Sequence, residues 1–186
     1  MEKWRDFWIL SYLCNGVNFK DVAAWKWKNL QNGRIRFVRQ KTKRSTKGQI
    51  KQIEIVLSDI AMNILLKYCT IDRSQENYIF PFYTKKMDAD KKLRVANQQI
   101  KNINTWMKRI GDNLGFDFKV TYQSARHSFA TISRNAGIDK DYISKALGHQ
   151  SSKTTDNYLD SFEADKIKEN QSVLLDTDAK RYLKVV

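Results

Sequence analysis

The sequence is poor in residues that cross-link a chain or bind metals: it has two cysteines, two histidines and one proline among 186 residues. Cys14 and Cys69 both lie in apolar helical patterns, which indicates buried thiols in a reducing compartment. Two distant cysteines and two histidines offer no spacing typical of a zinc site. A nuclease that binds metal through carboxylates stays open, although no paired acidic motif indicates one. We expect no metal and no cofactor.

Long apolar runs are absent, and acidic residues are scarce relative to basic ones. No run approaches the roughly 18 residues of a membrane-spanning helix, and the charged start at Met1–Asp6 is unlike a signal peptide. The 34 Lys and Arg against 20 Asp and Glu give a formal net charge of +14. This excess predicts a polyanionic partner, most simply nucleic acid. An anionic membrane surface is the alternative, but no basic amphipathic helix supports it, and we expect no membrane partner.

Hydrophobic residues make up 41% of the chain, which predicts one globular domain over residues 1–186. Apolar residues at helical spacing predict helices over residues 3–14, 58–68, 100–114 and 125–136. Between the first two, alternating apolar residues at 34–40 and 53–57 predict an antiparallel hairpin. Residues 84–96 are polar and predict a mobile connection. The fold class is therefore α+β, mostly helical, with helices around a small antiparallel hairpin sheet.

The loop of this hairpin, residues 41–49, is basic and contains no acidic residue. One interpretation is a solvated loop. The other, which the net charge favours, is a loop that contacts phosphates. We predict DNA contacts from basic residues of the loop and of the strand before it, namely Lys43, Arg44, Lys47, Arg36 and Arg39.

The stretch from Thr121 to Tyr158 contains both histidines of the chain. Arg126 lies in a helical pattern, His149 follows a Leu-Gly turn, and Tyr158 comes nine residues after His149. Taken singly, each residue is typical of packed helices. Together, Gln123-Ser-Ala-Arg126-His, Leu147-Gly148-His149 and Tyr158 resemble the active-site boxes of the tyrosine recombinase (phage integrase) family.

The resemblance implies the chemistry of a site-specific recombinase, which cuts and rejoins DNA through a 3′-phosphotyrosyl bond without metal or ATP. Tyr158 would be the nucleophile, and Arg126 would clamp the phosphate through its fork-shaped guanidinium. His149 would donate a hydrogen bond to the phosphate, and Lys41 would protonate the leaving oxygen. Gln123 stands where the family has a histidine and can still form hydrogen bonds.

The resemblance also implies partners and surroundings. The partner would be double-stranded DNA, on which the full-length protein would form a homotetramer, in the cytoplasm at the nucleoid. The family's separate N-terminal DNA-clamping domain is expected to be missing from this chain. Asp21 would orient neighbouring groups, and His127 would be structural.

One departure from the family pattern bears on activity, because Asn18 stands where the first box has an arginine. Either another basic residue supplies the charge, or cleavage is slow, or the chain is a non-cleaving DNA-binding remnant. A strand-passing enzyme similar to type IB topoisomerases is a further alternative. The candidates for a substitute charge are Lys20, Arg36, Arg39 and Lys43.

Overall fold

The computed structural model describes residues 1–39 and 52–148. Within these ranges the chain runs from helices through a small sheet to further helices, which confirms the predicted fold class. The helices are α1 (Glu2–Leu13), α2 (Phe19–Ala23), α3 (Asp59–Tyr68), α4 (Ala89–Asn113), α5 (Tyr122–Asn135) and α6 (Lys140–Ala146). The strands are β1 (Leu30–Gln31), β2 (Arg34–Val38) and β3 (Gln52–Val56), and a 3-10 turn (Trp27–Asn29) precedes β1.

The sheet is antiparallel in the order β1-β2-β3. β2 and β3 are the predicted hairpin, with Ile35 opposite Ile55. Ile35 and Ile55 are buried, whereas the alternate residue Arg36 is exposed, as the period of two requires. The short strand β1 was not predicted, although the Asn32-Gly33 turn that joins it to β2 is a strong hairpin signal.

The core is built around α1, which packs against α3, α4 and α5. Apolar residues on nearly every side of this helix predict a central position, and the structure confirms it. Phe7 of α1 meets Phe80 and Phe82 edge to face, with ring centroids 5.0 and 5.1 Å apart. Phe19 of α2 joins the same cluster. Burial of each such ring stabilises the fold by about 1.5–3 kcal/mol. The aromatic cluster therefore fixes α1 and α2 relative to each other, and with them the turn that connects the two helices.

The prediction of a mobile connection over residues 84–96 was wrong for its second half. α4 begins at Ala89, where the side chain of Asp88 accepts a hydrogen bond from the backbone N–H of Lys91. Ala96 is fully buried, but Leu93 is 43% exposed. The first turns of α4 therefore lack the apolar stripe from which the rest of the helix was predicted. The sequence signal for the start of α4 is instead its N-cap residue, Asp88.

The sequence also predicts Asp139 as the N-cap of the helix after α5, and the structure confirms it: Asp139 accepts hydrogen bonds from two backbone N–H groups at the start of α6. Helical spacing predicts that Ile132 faces the core from α5, which was wrong, because Ile132 is 53% exposed. The helix is rotated so that Arg126 lies on its buried side. Ile143 and Leu147 of α6 pack with Ala130 in a small second cluster.

Candidate active site

The start of α5 is fixed to three other parts of the fold. Trp8 of α1 donates from Nε1 to the carbonyl oxygen of Thr121 at 2.8 Å. The backbone N–H of Tyr122 donates to the Asn104 side chain of α4 at 2.7 Å. The Tyr122 hydroxyl donates to the carbonyl oxygen of Val17, in the α1–α2 turn, at 3.0 Å. Arg126, one helical turn further on, is thereby held in a defined position.

Arg126 is only 8% exposed and joins two turns of the chain. Its Nη1 donates to the carbonyl oxygen of Gly16 at 2.9 Å, and its Nη2 donates to that of Leu147 at 2.6 Å. A Cβ on Gly16 would lie 2.6 Å from Cα of Arg126, closer than packed atoms come. The α1–α2 turn therefore rests directly on the stem of Arg126, and a side chain at Gly16 would displace it.

Arg39 follows β2 and lines the same pocket as Arg126. Its Nη1 donates to the carbonyl oxygen of Gly148 at 2.9 Å. Its Nε lies 3.8 Å from Oδ2 of Asp21, and the exposed fractions of the two side chains are 19% and 5%. A Cβ on Gly148 would meet Cδ of Arg39 at 3.1 Å and Cδ1 of Ile53 at 2.6 Å. Gly148 thus leaves room for both Ile53 and Arg39.

Both arginines line one pocket between the sheet and the turns after α1 and α6. Guanidinium groups stay charged when buried, so Arg39 and Arg126 outweigh the single carboxylate of Asp21 among the lining residues. A concave surface of this polarity attracts anions. Among the described residues, the lining consists of Cys14, Asn15, Val17, Asn18, Asp21, Phe37, Arg39, Ile53, Ile55, Arg126, Ala146 and Leu147.

Asn18, which also lines this pocket, has a structural role. Its Oδ1 accepts a hydrogen bond from the backbone N–H of Lys20 at 3.0 Å and so caps α2. The sequence offers Asn18 or Asn15 as the cap of this short helix, and the structure confirms Asn18. An arginine has no acceptor on its side chain and cannot make this bond.

Two titratable groups next to Arg126 have shifted pKa values. Burial raises the pKa of the Cys14 thiol to about 12, so Cys14 is not a nucleophile. Partial burial, with a smaller contribution from the charge of Arg126, lowers the pKa of His127 below its usual value. The neutral thiol of Cys14 adds no charge to the pocket, whose positive charge comes from its arginines.

The remaining predicted site residues are placed differently. Gln123 is exposed on α5. Arg36 points away from the pocket: its Nε lies 2.5 Å from Oε2 of Glu54, which also binds Arg34 at 2.5 Å. Arg39, predicted as a DNA contact, lies in the pocket. Six predicted residues fall outside the described ranges: Lys41, Lys43, Arg44, Lys47, His149 and Tyr158.

The inward position of Arg39 could have been found from the sequence. Ile35 and Phe37 alternate inward along β2, so residue 39 falls on the same face two positions later. A basic residue on the core face at the end of a strand indicates either a buried ion pair or a binding site.

Within residues 1–39 and 52–148, no cluster of histidine, cysteine or carboxylate side chains could hold a metal ion. No helix there is long and apolar enough to cross a membrane.

Comparison with solved structures shows the same fold in known recombinases. The XerA recombinase superposes with a TM-score of 0.59 at 22% sequence identity, over 91% of this chain and 57% of that one. The Tn1549 transposon integrase in complex with a circular intermediate DNA gives 0.61 at 15% identity, over 92% and 58%. The XerH recombinase bound to its difH substrate gives 0.57 at 19%, over 92% and 46%. The chain thus spans less than two thirds of the length of each of these proteins.

None of the curated protein sequences compared with this chain matches it significantly. The model of the phage integrase family matches residues 12–165, which include Arg126, His149 and Tyr158. A match of this length covers the sheet, the pocket and all four helices from α3 to α6. The chain belongs to the phage integrase family of tyrosine recombinases.

Proposed function

We propose that the chain is a site-specific recombinase of the integrase type, which cuts and rejoins double-stranded DNA through a 3′-phosphotyrosyl intermediate. The observation that carries this proposal is the position of Arg126. Its guanidinium is buried in a positively charged pocket and bound to Leu147. The next residues along the chain are Gly148 and His149, and Tyr158 follows nine residues later.

A residue of this chain can be assigned to each step of the proposed reaction. The phenolate oxygen of Tyr158 attacks the scissile phosphorus, a P–O bond to tyrosine forms, and the P–O5′ bond breaks. Lys41 gives its proton to the departing 5′ oxygen. Arg126 and His149 stabilise the charge that develops on the non-bridging oxygens. Attack by a 5′ hydroxyl from another strand reverses the step, so the bond energy is kept and neither ATP nor metal is required.

Double-stranded DNA as the partner is supported by the net charge of +14 and by the relatives. The Tn1549 integrase and XerH are described in complex with DNA. We assign phosphate contacts to Lys43, Arg44 and Lys47 of the hairpin loop. Arg36, which shares Glu54 with Arg34, would have to exchange this ion pair for a phosphate.

Further properties of the whole protein belong to the same proposal. By analogy with the family, the full-length protein would form a homotetramer on DNA, work in the cytoplasm at the nucleoid, and have a separate N-terminal DNA-clamping domain. Asp21, which lies beside Arg39, would orient the basic groups of the pocket.

The second candidate function is DNA binding without cleavage. Asn18 favours it, because this residue caps α2 and brings no charge to the pocket. The two candidates share the fold, the pocket and the DNA partner, and they differ only in whether a covalent bond to DNA forms.

Covalent trapping separates the two. A pool of nicked duplexes with a randomised central sequence removes the need to know the target, because the nick releases a short fragment and prevents religation. The 186-residue chain should form adducts that survive denaturation, Tyr158→Phe should form none, and Tyr142→Phe should match the wild type. Tyr142 is an apt control because it is 59% exposed on α6.

DNA binding should be equal in all three proteins, since the Phe variants keep every charge. An adduct that persists in Tyr158→Phe would contradict the assigned nucleophile. If the wild type binds duplex but forms no adduct anywhere in the pool, the non-cleaving function is the correct one.

A further inference from the structure

The two arginines of the pocket are held by one turn of the chain. Arg126 donates to the carbonyl oxygen of Leu147 and Arg39 to that of Gly148, the next residue. The two acceptors belong to consecutive residues, so both arginine side chains end at the same turn and line the same pocket. Two positive charges that line one pocket favour an anion in it.

Both turns that contact the arginines contain a glycine. A Cβ on Gly16 would collide with Arg126, whereas a Cβ on Gly148 would collide with Cδ1 of Ile53 and would lie 3.1 Å from Cδ of Arg39. Both glycines also have positive φ, at 64° and 66°, a conformation in which other residues are strained. The two turns therefore pack closely against the arginines, as in a binding site whose charges are fixed before the ligand arrives.

We propose that Arg39 is a second phosphate-binding residue of the active site and acts with Arg126 on the scissile phosphate. This inference rests on the proposed function of the site. Arg39 brings the second charge from the end of β2, while Asn18 is committed to capping α2. The carboxylate of Asp21 and the carbonyl oxygen of Gly148 hold the guanidinium in the pocket.

The other basic residues on β2 do not have this geometry. Arg34 and Arg36 both face Glu54 on the outer side of the sheet, with about half of each side chain exposed. Arg34 is five residues from Arg39, about 16 Å of extended chain. Arg34→Gln therefore removes the same charge from the same strand without touching the pocket, and it is the matched control for Arg39→Gln.

The first test measures cleavage of the nicked substrate by the 186-residue chain. A charge-assisted contact to a developing oxyanion is worth roughly 100- to 1,000-fold in rate. We expect this loss in Arg39→Gln, a smaller loss in Arg39→Lys, which keeps the charge without the fork, and a rate within about threefold of wild type in Arg34→Gln. Equal rates for Arg39→Gln and Arg34→Gln would overturn the proposal.

A change in the substrate separates charge stabilisation from a role in folding. When a methylphosphonate replaces the scissile phosphate, one non-bridging oxygen and the negative charge are lost. The defect of Arg39→Gln relative to wild type should then shrink to about tenfold or less, because the missing charge has less to stabilise. A defect of the same size on both substrates would show that Arg39 acts through the fold alone and would contradict the proposal.

The salt dependence of DNA binding tests the phosphate contact of Arg39 even when no cleavage occurs. Loss of one phosphate contact reduces the slope of log K against log salt by about 0.9. Arg39→Gln should show this reduction on a short duplex, and Arg34→Gln should not. If the wild type forms no adduct, the proposed cleavage is refuted, but not yet the role of Arg39. A reduced slope in Arg39→Gln then still supports a phosphate contact by Arg39, and an unchanged slope refutes that contact.

Discussion

The close packing of Gly16 on Arg126 gives a quantitative prediction for Gly16→Ala. The new Cβ would lie 2.6 Å from Cα and 2.8 Å from Cβ of Arg126, and none of these atoms belongs to a flexible chain end. Overpacking of this kind costs about 1–3 kcal/mol. The positive φ of 64° adds about 1–2 kcal/mol for any residue with a Cβ. Gly16→Ala should therefore lower the free energy of unfolding by about 2–5 kcal/mol.

Gly137→Ala isolates the contribution of the contact. Gly137 has a positive φ of 79°, yet nothing lies within 4 Å of the Cβ that it would gain. The backbone strain and the entropy change of the unfolded chain are common to both variants. The difference between them, about 1–3 kcal/mol, is the cost of moving Arg126.

Urea denaturation at pH 7 measures this difference. With a denaturant slope of about 2 kcal/mol per M, the midpoint of Gly16→Ala should lie about 0.5–1.5 M below that of Gly137→Ala. The cleavage rate should fall with it in Gly16→Ala alone, because the guanidinium of Arg126 moves away from Leu147. Equal midpoints would show that the α1–α2 turn does not rest on Arg126.

The α2 cap, the ion pairs of Asp6 and the basic surface can each be tested. Asn18→Arg should destabilise the fold by about 0.5–2 kcal/mol through loss of the α2 cap, whereas Asn18→Asp should keep the stability. Asn18→Arg should not speed cleavage, and a faster Asn18→Arg enzyme would contradict the assignment of Arg39. Asp6→Asn should cost about 1.5–3 kcal/mol in urea denaturation at pH 7. Burial alone would raise the pKa of Asp6, but hydrogen bonds from Lys67, Arg5 and Tyr68 lower it below its ordinary value. The contribution of Asp6 is therefore complete well above the unfolded pKa of about 3.9 and is lost as the pH falls through the folded pKa. Wild type and Asp6→Asn should differ by a constant amount from about pH 5 to 7, begin to converge near about pH 4 and become equal in stability only below the folded pKa. Duplex affinity should fall steeply between 50 and 200 mM salt, by about 10³-fold or more if six phosphates are contacted, and a salt-independent affinity would contradict binding through phosphates.

The general fold could be predicted because its signals are local. The caps at Ser58 and Asp139 and the alternation of Ile35 and Phe37 mark elements that the structure confirms. The start of α4 was missed because its exposed first turns have no apolar stripe, and Ile132 was placed in the core because a stripe drawn from apolar residues alone ignores a buried arginine. Hydrophobic patterns report which residues avoid water, and they do not report which charged residues are buried with partners.

The candidate site was predictable in part for the same reason. The positions of Arg126 and of the Leu147-Gly148 turn follow from helix boundaries within one stretch of sequence. The approach of Arg39 to Gly148 joins residues 109 positions apart, and it depends on how the sheet packs against α6. The bond between Arg126 and Gly16 spans 110 positions. Such contacts are set by tertiary packing, which a single sequence constrains weakly.

Mapping the covalent bond between Tyr158 and a 3′ phosphate of DNA tests the proposed reaction. The adduct formed on nicked duplex in the presence of a metal chelator should be digested with protease and nuclease, and the modified peptide sequenced by mass spectrometry. We expect a nucleotide on Tyr158, joined through its 3′ phosphate, and a free 5′ hydroxyl on the released strand. A nucleotide on any other residue, a bond to a 5′ phosphate, or cleavage that stops when metal is chelated would contradict the proposed reaction.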